Sequence, residues 1–159
     1  MDIRVDQKGN DMAPIAAEVL RDLRDAYGDL GAPDFNFVQK RHDRCRDATV
    51  MANLSEFFEI VNSTDLNDDV ALTLFLKQGR ESYGLRLSLV GRYAAVSDEQ
   101  GRIMDATTIG SKSLAAILVA QNYRILTRAE LRTNVPFGAG GGGRSLYELL
   151  FSDDEADLL

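Results

Sequence analysis

Apolar and polar positions divide the chain into segments of two different periods. Ile15, Val19, Leu23, Tyr27 and Leu30 recur at helical spacing, and Ala16, Leu20 and Ala26 widen the stripe. Pro14 suits the first turn of that helix, and Gly28, Gly31 and Pro33 end it. Phe35 and Phe37 alternate like the start of a short strand, after which the polar stretch from Gln39 to Asp47 blurs the pattern. In residues 53–62, Leu54, Phe57, Phe58 and Val61 fit a helix face, with Asn53 and Glu56 in a capping arrangement; an aromatic strand through Phe57 and Phe58 competes.

The middle of the chain has period two. Val70, Leu72, Leu74 and Leu76 alternate with Ala71, Thr73 and Phe75, and Leu85, Leu87 and Leu89 alternate with Arg86 and Ser88. Gly79 and Gly84 bracket the connection. Residues 93–97 and 102–105 flank Asp98-Glu99-Gln100-Gly101, a hairpin turn in which glycine supplies a positive φ. Helix returns after Gly110, where Leu114, Ile117 and Leu118 share a face and Ser111 or Ser113 caps the start. Residues 123–126 then read as a short strand, and Thr127-Arg128-Ala129-Glu130 opens a further helix with a capping box. The expected fold is α+β: an antiparallel sheet of four to five strands, with a central meander, packed by an N-terminal helix and C-terminal helices.

The glycine run changes the picture of the C-terminal part. Gly138 to Ser145 matches the phosphate-cradling pattern G-x-x-x-x-G-K-[ST] except for Arg144 in the lysine position. A phosphate loop follows a buried parallel strand and opens a helix toward the phosphates. Pro136 stands where such a strand would end, only 14 residues follow Ser145, and Ser145-Leu146-Tyr147-Glu148 is itself a capping box. The expected organisation is one domain over 1–135, a Gly-rich linker over 136–145, and a docking helix with an acidic tail over 146–159. Leu146, Leu149, Leu150 and Phe151 would dock on the domain or on a partner.

Charge bears on the class of partner. With 25 acidic and 18 basic residues the chain carries a formal charge of −7, which argues against nucleic acid and anionic membrane and suits a basic protein partner or simple solubility. One cysteine and one histidine exclude an internal disulfide and a Cys/His zinc cage. No apolar run reaches the ~20 residues that span a bilayer, and the first residues lack the apolar core of a signal peptide, so a cytoplasmic location is expected. Between Val50 and Leu76 lie Glu56, Glu59, Asp65, Asp68 and Asp69 and no lysine or arginine, an acidic surface able to steer a basic partner. On one helix, Glu56 and Glu59 would share an exposed side.

The remaining constellations supply no chemistry. Residues 65–69 begin like a calcium loop, but Val70 and Leu76 occupy the positions where glycine and glutamate are required, leaving a polar turn. His42 and Cys45, read on a strand, point to opposite faces and form no dyad; their basic neighbours Lys40 to Arg46 could pair with Asp153, Asp154, Glu155 and Asp157, within the chain or between two copies. No catalytic set, metal cage or cofactor loop emerges. In size, charge and architecture the chain is similar to bacterial immunity proteins that neutralise basic toxins, and the same generalities fit secretion chaperones. The expectation is a non-catalytic protein-binding protein of the immunity type. The alternatives are a chaperone-like or self-associating (homodimeric) subunit, or a nucleotide-binding enzyme using Gly138–Ser145.

Overall fold

The computed structural model describes residues 16–46, 49–67, 69–106, 109, 112–140 and 142–152, with the side chains at 45, 46, 112 and 113 outside that description. Its elements follow the order α1 (Ala17–Tyr27), β1 (Gly28–Asp29), β2 (Ala32–Pro33), α2 (Phe37–Arg46), α3 (Thr49–Ser55), β3 (Glu59–Asn62), β4 (Ala71–Gln78), β5 (Glu81–Ser88), β6 (Tyr93–Ser97), β7 (Ile103–Met104), α4 (Lys112–Ala120), β8 (Arg124–Ile125), α5 (Arg128–Leu131), β9 (Asn134–Pro136), β10 (Gly143–Ser145) and α6 (Leu146–Leu150). The α+β class and the antiparallel meander are as expected: strands β3 to β7 pair in sequence order. Strand β6 is flanked twice on its outer side. Its second half pairs antiparallel with β7, and its first half pairs parallel with β8.

Alternation along β4 and β5 gives the sheet its first face. Register sets Leu72 opposite Leu87, Leu74 opposite Leu85, and Leu76 opposite Tyr83. All six are buried, together with Ala94 and Val96 from β6, beneath Val50 and Leu54 of α3 and Leu114 and Leu118 of α4. Each such leucine contributes about 1.5–3 kcal/mol by leaving water, so this layer holds the meander to the two helices.

The second face is built differently. Ala71, Tyr93 and Ala95 lie under α1 and α6, whose Val19, Leu23, Leu146, Leu149 and Leu150 complete one cluster with Phe151. Helix α1 is tied down by two tyrosines. The Tyr27 hydroxyl donates to the Leu149 carbonyl at 2.7 Å, and the Tyr93 hydroxyl donates to the Asp22 carboxylate at 2.5 Å. Burial, and then the Asp22 hydrogen bond and charge, raise the Tyr93 hydroxyl pKa well above its usual value.

Three local expectations are corrected. Phe35 and Phe37 do not start a strand: Asn36 N–H donates to the Asp34 carboxylate at 2.8 Å, and helix α2 begins at Phe37. His42 therefore sits on a helix and not on a strand. Helix α2 is held by tertiary contacts, with Val38 packing on Val70 and Leu89. Residues 53–62 are not one helix; α3 stops at Ser55 and Glu59 begins strand β3. Glu56 and Glu59 thus do not share a helix face, because the chain turns between them.

The glycine-rich segment has hairpin geometry. Strands β9 and β10 pair antiparallel, Arg144 opposite Val135, and the Phe137 N–H donates to the Gly142 carbonyl at 3.0 Å. The Gly138 N–H donates to the Leu30 carbonyl at 2.7 Å. Ser145 then caps α6, its hydroxyl accepting from the Glu148 N–H at 3.2 Å. The full capping box forms at Thr127 and Glu130, as their spacing predicts.

Two measurements check this arrangement. Phe151→Ala is expected to remove about 3–5 kcal/mol of stability, read as a lowered midpoint in urea, because Phe151 is fully buried in the shared α1–α6 cluster. For Tyr93 the folded protein favours the protonated hydroxyl, so its contribution is complete below the ordinary tyrosine pKa of about 10 and is lost as pH rises beyond it. Tyr93→Phe is expected to flatten the fall in stability measured between about pH 9 and pH 11.

Candidate functional site

Cover on the second face ends part-way along the sheet. Thr73, opposite Arg86, marks the boundary and is 9% exposed, whereas Phe75, two residues further along β4, is 57% exposed. Opposite Phe75 stand Gly84 on β5 and Val61 on β3, the latter 62% exposed. Among the described residues no helix packs over this part. The result is a groove of about 770 Å³ with Phe75 and Val61 on one side, Gly84 and Ser97 as floor, and the β6–β7 turn Asp98–Gly101 as the other wall.

Gly84 determines the depth of the floor. A Cβ there would lie 2.2 Å from the Ser97 hydroxyl oxygen, and a larger side chain would stand in the groove beside Phe75. An aromatic side chain across from a strand glycine is a recurrent pairing, because the ring shields backbone that the glycine leaves bare.

The turn is rigid and negatively charged. The Asp98 carboxylate accepts from the Gln100 N–H and the Arg102 N–H, both at 2.9 Å, and from the Arg102 guanidinium at 3.0 Å. The Arg102 N–H chiefly, with that guanidinium and the Gln100 N–H, holds the carboxyl below its usual pKa. Gly101 closes the turn at φ +80°. Among the described residues, Glu99 at the turn and Glu59 at the start of β3 add two more carboxylates to the lining; Lys77 stands opposite Glu59 and Arg102 pairs with Asp98, which leaves Glu99 as the surplus charge.

The residues singled out in the sequence separate into three groups. Glu59 lines the groove; Glu56 and Asp65 are exposed on the turns that flank β3, and Asp68 lies outside the described residues. Asp69 is buried. Its carboxylate accepts from the Arg86 guanidinium at 3.2 Å, the Thr73 hydroxyl at 2.9 Å and the Asp65 N–H at 3.1 Å. The same residue forms a bridge to Ser152, and the neighbouring Val70 N–H donates to the Phe151 carbonyl at 2.9 Å. Leu146, Leu149, Leu150 and Phe151 are buried against this chain's own core. The acidic stretch Asp153–Asp157 lies outside the described residues.

The other motifs take structural places. Asp65 accepts from the Asn67 N–H at 3.0 Å within the polar turn. His42 Nδ1 lies 3.5 Å from the Asp43 carboxylate and forms no hydrogen bond among the described residues. In the glycine-rich segment no parallel strand leads into the loop, and the Arg144 guanidinium lies 5.5 Å over the Phe137 ring. Among the described residues no helix is long and apolar enough to cross a membrane, and no group of three or more His, Cys, Asp or Glu is placed to hold a metal ion.

No family model matches the chain, and no curated protein and no solved structure matches it either. What the groove presents chemically is an apolar pair, a backbone floor and carboxylates at the rim.

Asp69 carries a prediction that separates architecture from recognition. Asp69→Ala leaves the Arg86 guanidinium without its carboxylate and is expected to cost about 3–5 kcal/mol, seen in urea unfolding. Glu59→Ala, at an exposed site, is expected to change stability by less than about 0.5 kcal/mol.

Proposed function

We propose that this protein is a non-catalytic binding protein that receives a basic, partly apolar segment of another protein on the uncovered half of its sheet. The observation that carries the reading is the pairing of Val61 with Phe75, two large apolar side chains more than half exposed, beside a wall bearing Asp98 and Glu99. Two adjacent exposed apolar groups rimmed by polar residues are the ordinary composition of a protein-binding patch. Surplus carboxylate at the rim favours a cationic partner and speeds its approach. An immunity-type inhibitor of a basic protein, working in the cytoplasm, is the form of this function that suits the overall charge of −7.

A second reading draws on a separate observation. Strand β3 is an edge of the sheet, and the Ser63 N–H donates to the Thr73 carbonyl at 2.9 Å. By the alternation of antiparallel pairs, Glu59 and Val61 then bond toward β4, and the backbone groups of Ile60 and Asn62 point outward. A chaperone-like protein would add an extended segment of its client along that edge.

Affinity capture from native lysate, followed by quantitative binding with the recovered protein, tests both readings. Wild-type protein is expected to retain a basic protein at low salt and release part of it as salt rises. Phe75→Asp is expected to weaken the complex at least tenfold with an unchanged urea midpoint. Glu99→Lys slows association and leaves dissociation nearly unchanged. Capture of nothing at low salt, or full retention by Phe75→Asp, sinks the main reading. Loss of binding on Ile60→Pro alone, which removes an outward N–H, selects the strand-addition form.

A further inference from the structure

Helix α2 and the β5–β6 connection enclose a cleft of about 400 Å³ that presents three arginines, Arg41, Arg44 and Arg92, with Ser88, Gly91 and Tyr123. In a chain with seven more acids than bases, no carboxylate among the described residues lines this cleft. The adjacent Asp22 carboxylate is already bonded by the Tyr93 hydroxyl at 2.5 Å.

Two of the guanidiniums are held in fixed planes. Arg41 donates through Nη1 to the Leu89 and Val90 carbonyls, each at 3.0 Å, and lies 5.2 Å over the Phe37 ring. Arg92 donates through Nη1 to the Gln121 carbonyl at 2.9 Å and lies 5.3 Å over the Tyr123 ring. Among the described residues the bonds of both use Nη1 alone, which leaves the Nε and Nη2 edge of each, the edge that grips two oxygens at once. Arg44, one helical turn beyond Arg41, is exposed and has no hydrogen bond or ion pair among the described residues.

Three guanidiniums in one lining attract an anion, even with the Asp22 carboxylate adjacent. A carboxylate brings one charge and two coplanar oxygens. A phosphate group brings about −1.5 to −2 at neutral pH and three oxygens splayed in three directions. Donors arriving from a helix and from a strand connection match the second shape.

We propose that the Arg41–Arg44–Arg92 cleft is a binding site for a phosphate group, supplied as free phosphate or as a phosphate monoester. The site shares no residue with the sheet groove, so its success or failure is independent of the binding function proposed there.

Inorganic phosphate and phenyl phosphate, titrated separately by calorimetry at low ionic strength against a chloride control, test the assignment. Saturable binding of phosphate beyond chloride is expected. Arg44→Ala, which breaks no bond among the described residues, is expected to weaken it about tenfold with an unchanged urea midpoint. Arg92→Gln is expected to weaken it similarly, with Arg41→Lys retaining part. Equal binding of phenyl phosphate identifies a monoester as the source, and binding of inorganic phosphate alone identifies the free ion. No saturable binding of either compound, binding matched by chloride, or unchanged affinity in Arg44→Ala overturns the proposal.

Discussion

A carboxylate taken out of water must be compensated at every oxygen, and the second face of this protein is organised around one such group. Asp69 satisfies its carboxylate with three partners drawn from β4, β5 and the turn before β4. An uncompensated buried charge costs several kcal/mol, more than most single contacts return, so these partners cannot drift independently. Through the bridge to Ser152 the same residue fixes where the segment after α6 meets the sheet. Arg86, drawn inward to Asp69, also lies over the Tyr147 ring of α6. Sheet, turn and C-terminal helix thus share one anchoring point.

That anchoring point is also a border. On one side of Thr73 and Arg86 the second face is apolar and covered by α1 and α6; on the other it turns to Phe75, Gly84 and Ser97 and is uncovered. Antiparallel sheets often leave one face to water with polar residues. Here the uncovered portion keeps an aromatic and a valine, the departure on which the proposed binding role rests. The arginine cleft behind α2 is a second departure, since its positive charge runs against the character of the whole chain.

Much of the architecture was legible because strong alternation leaves little choice. Leu72, Leu74, Leu76, Leu85 and Leu87 can share a face only if β4 and β5 are strands, and Asp98-Glu99-Gln100-Gly101 is a turn by its own chemistry. Helix α2 was not legible: its ten residues include only Phe37, Val38 and Cys45 as apolar positions, and contacts from Val70 and Leu89 hold it. The stretch 53–62 hid a helix and a strand joined within a few residues, and aromatic residues serve both. Asp69 looked like one more surface acid because its partners lie 4 and 17 positions away in sequence. The groove did leave a trace, a phenylalanine at an odd position of β4 and a glycine inside β5, but only the register shows that the two stand opposite.

The hydroxyl bond from Tyr27 to the Leu149 carbonyl joins residues 122 positions apart, and the cluster around it draws from α1 and α6 alike. Contacts of such separation are closed late and slowly, after the local meander has formed. At cellular rates of translation, α1 waits on the order of ten seconds before α6 is made. During that interval Val19, Leu23 and Tyr27 have no finished surface to occupy. Until α6 is made, the apolar stripe of the first helix faces water in the nascent chain, and slower translation before α6 would lengthen that exposure.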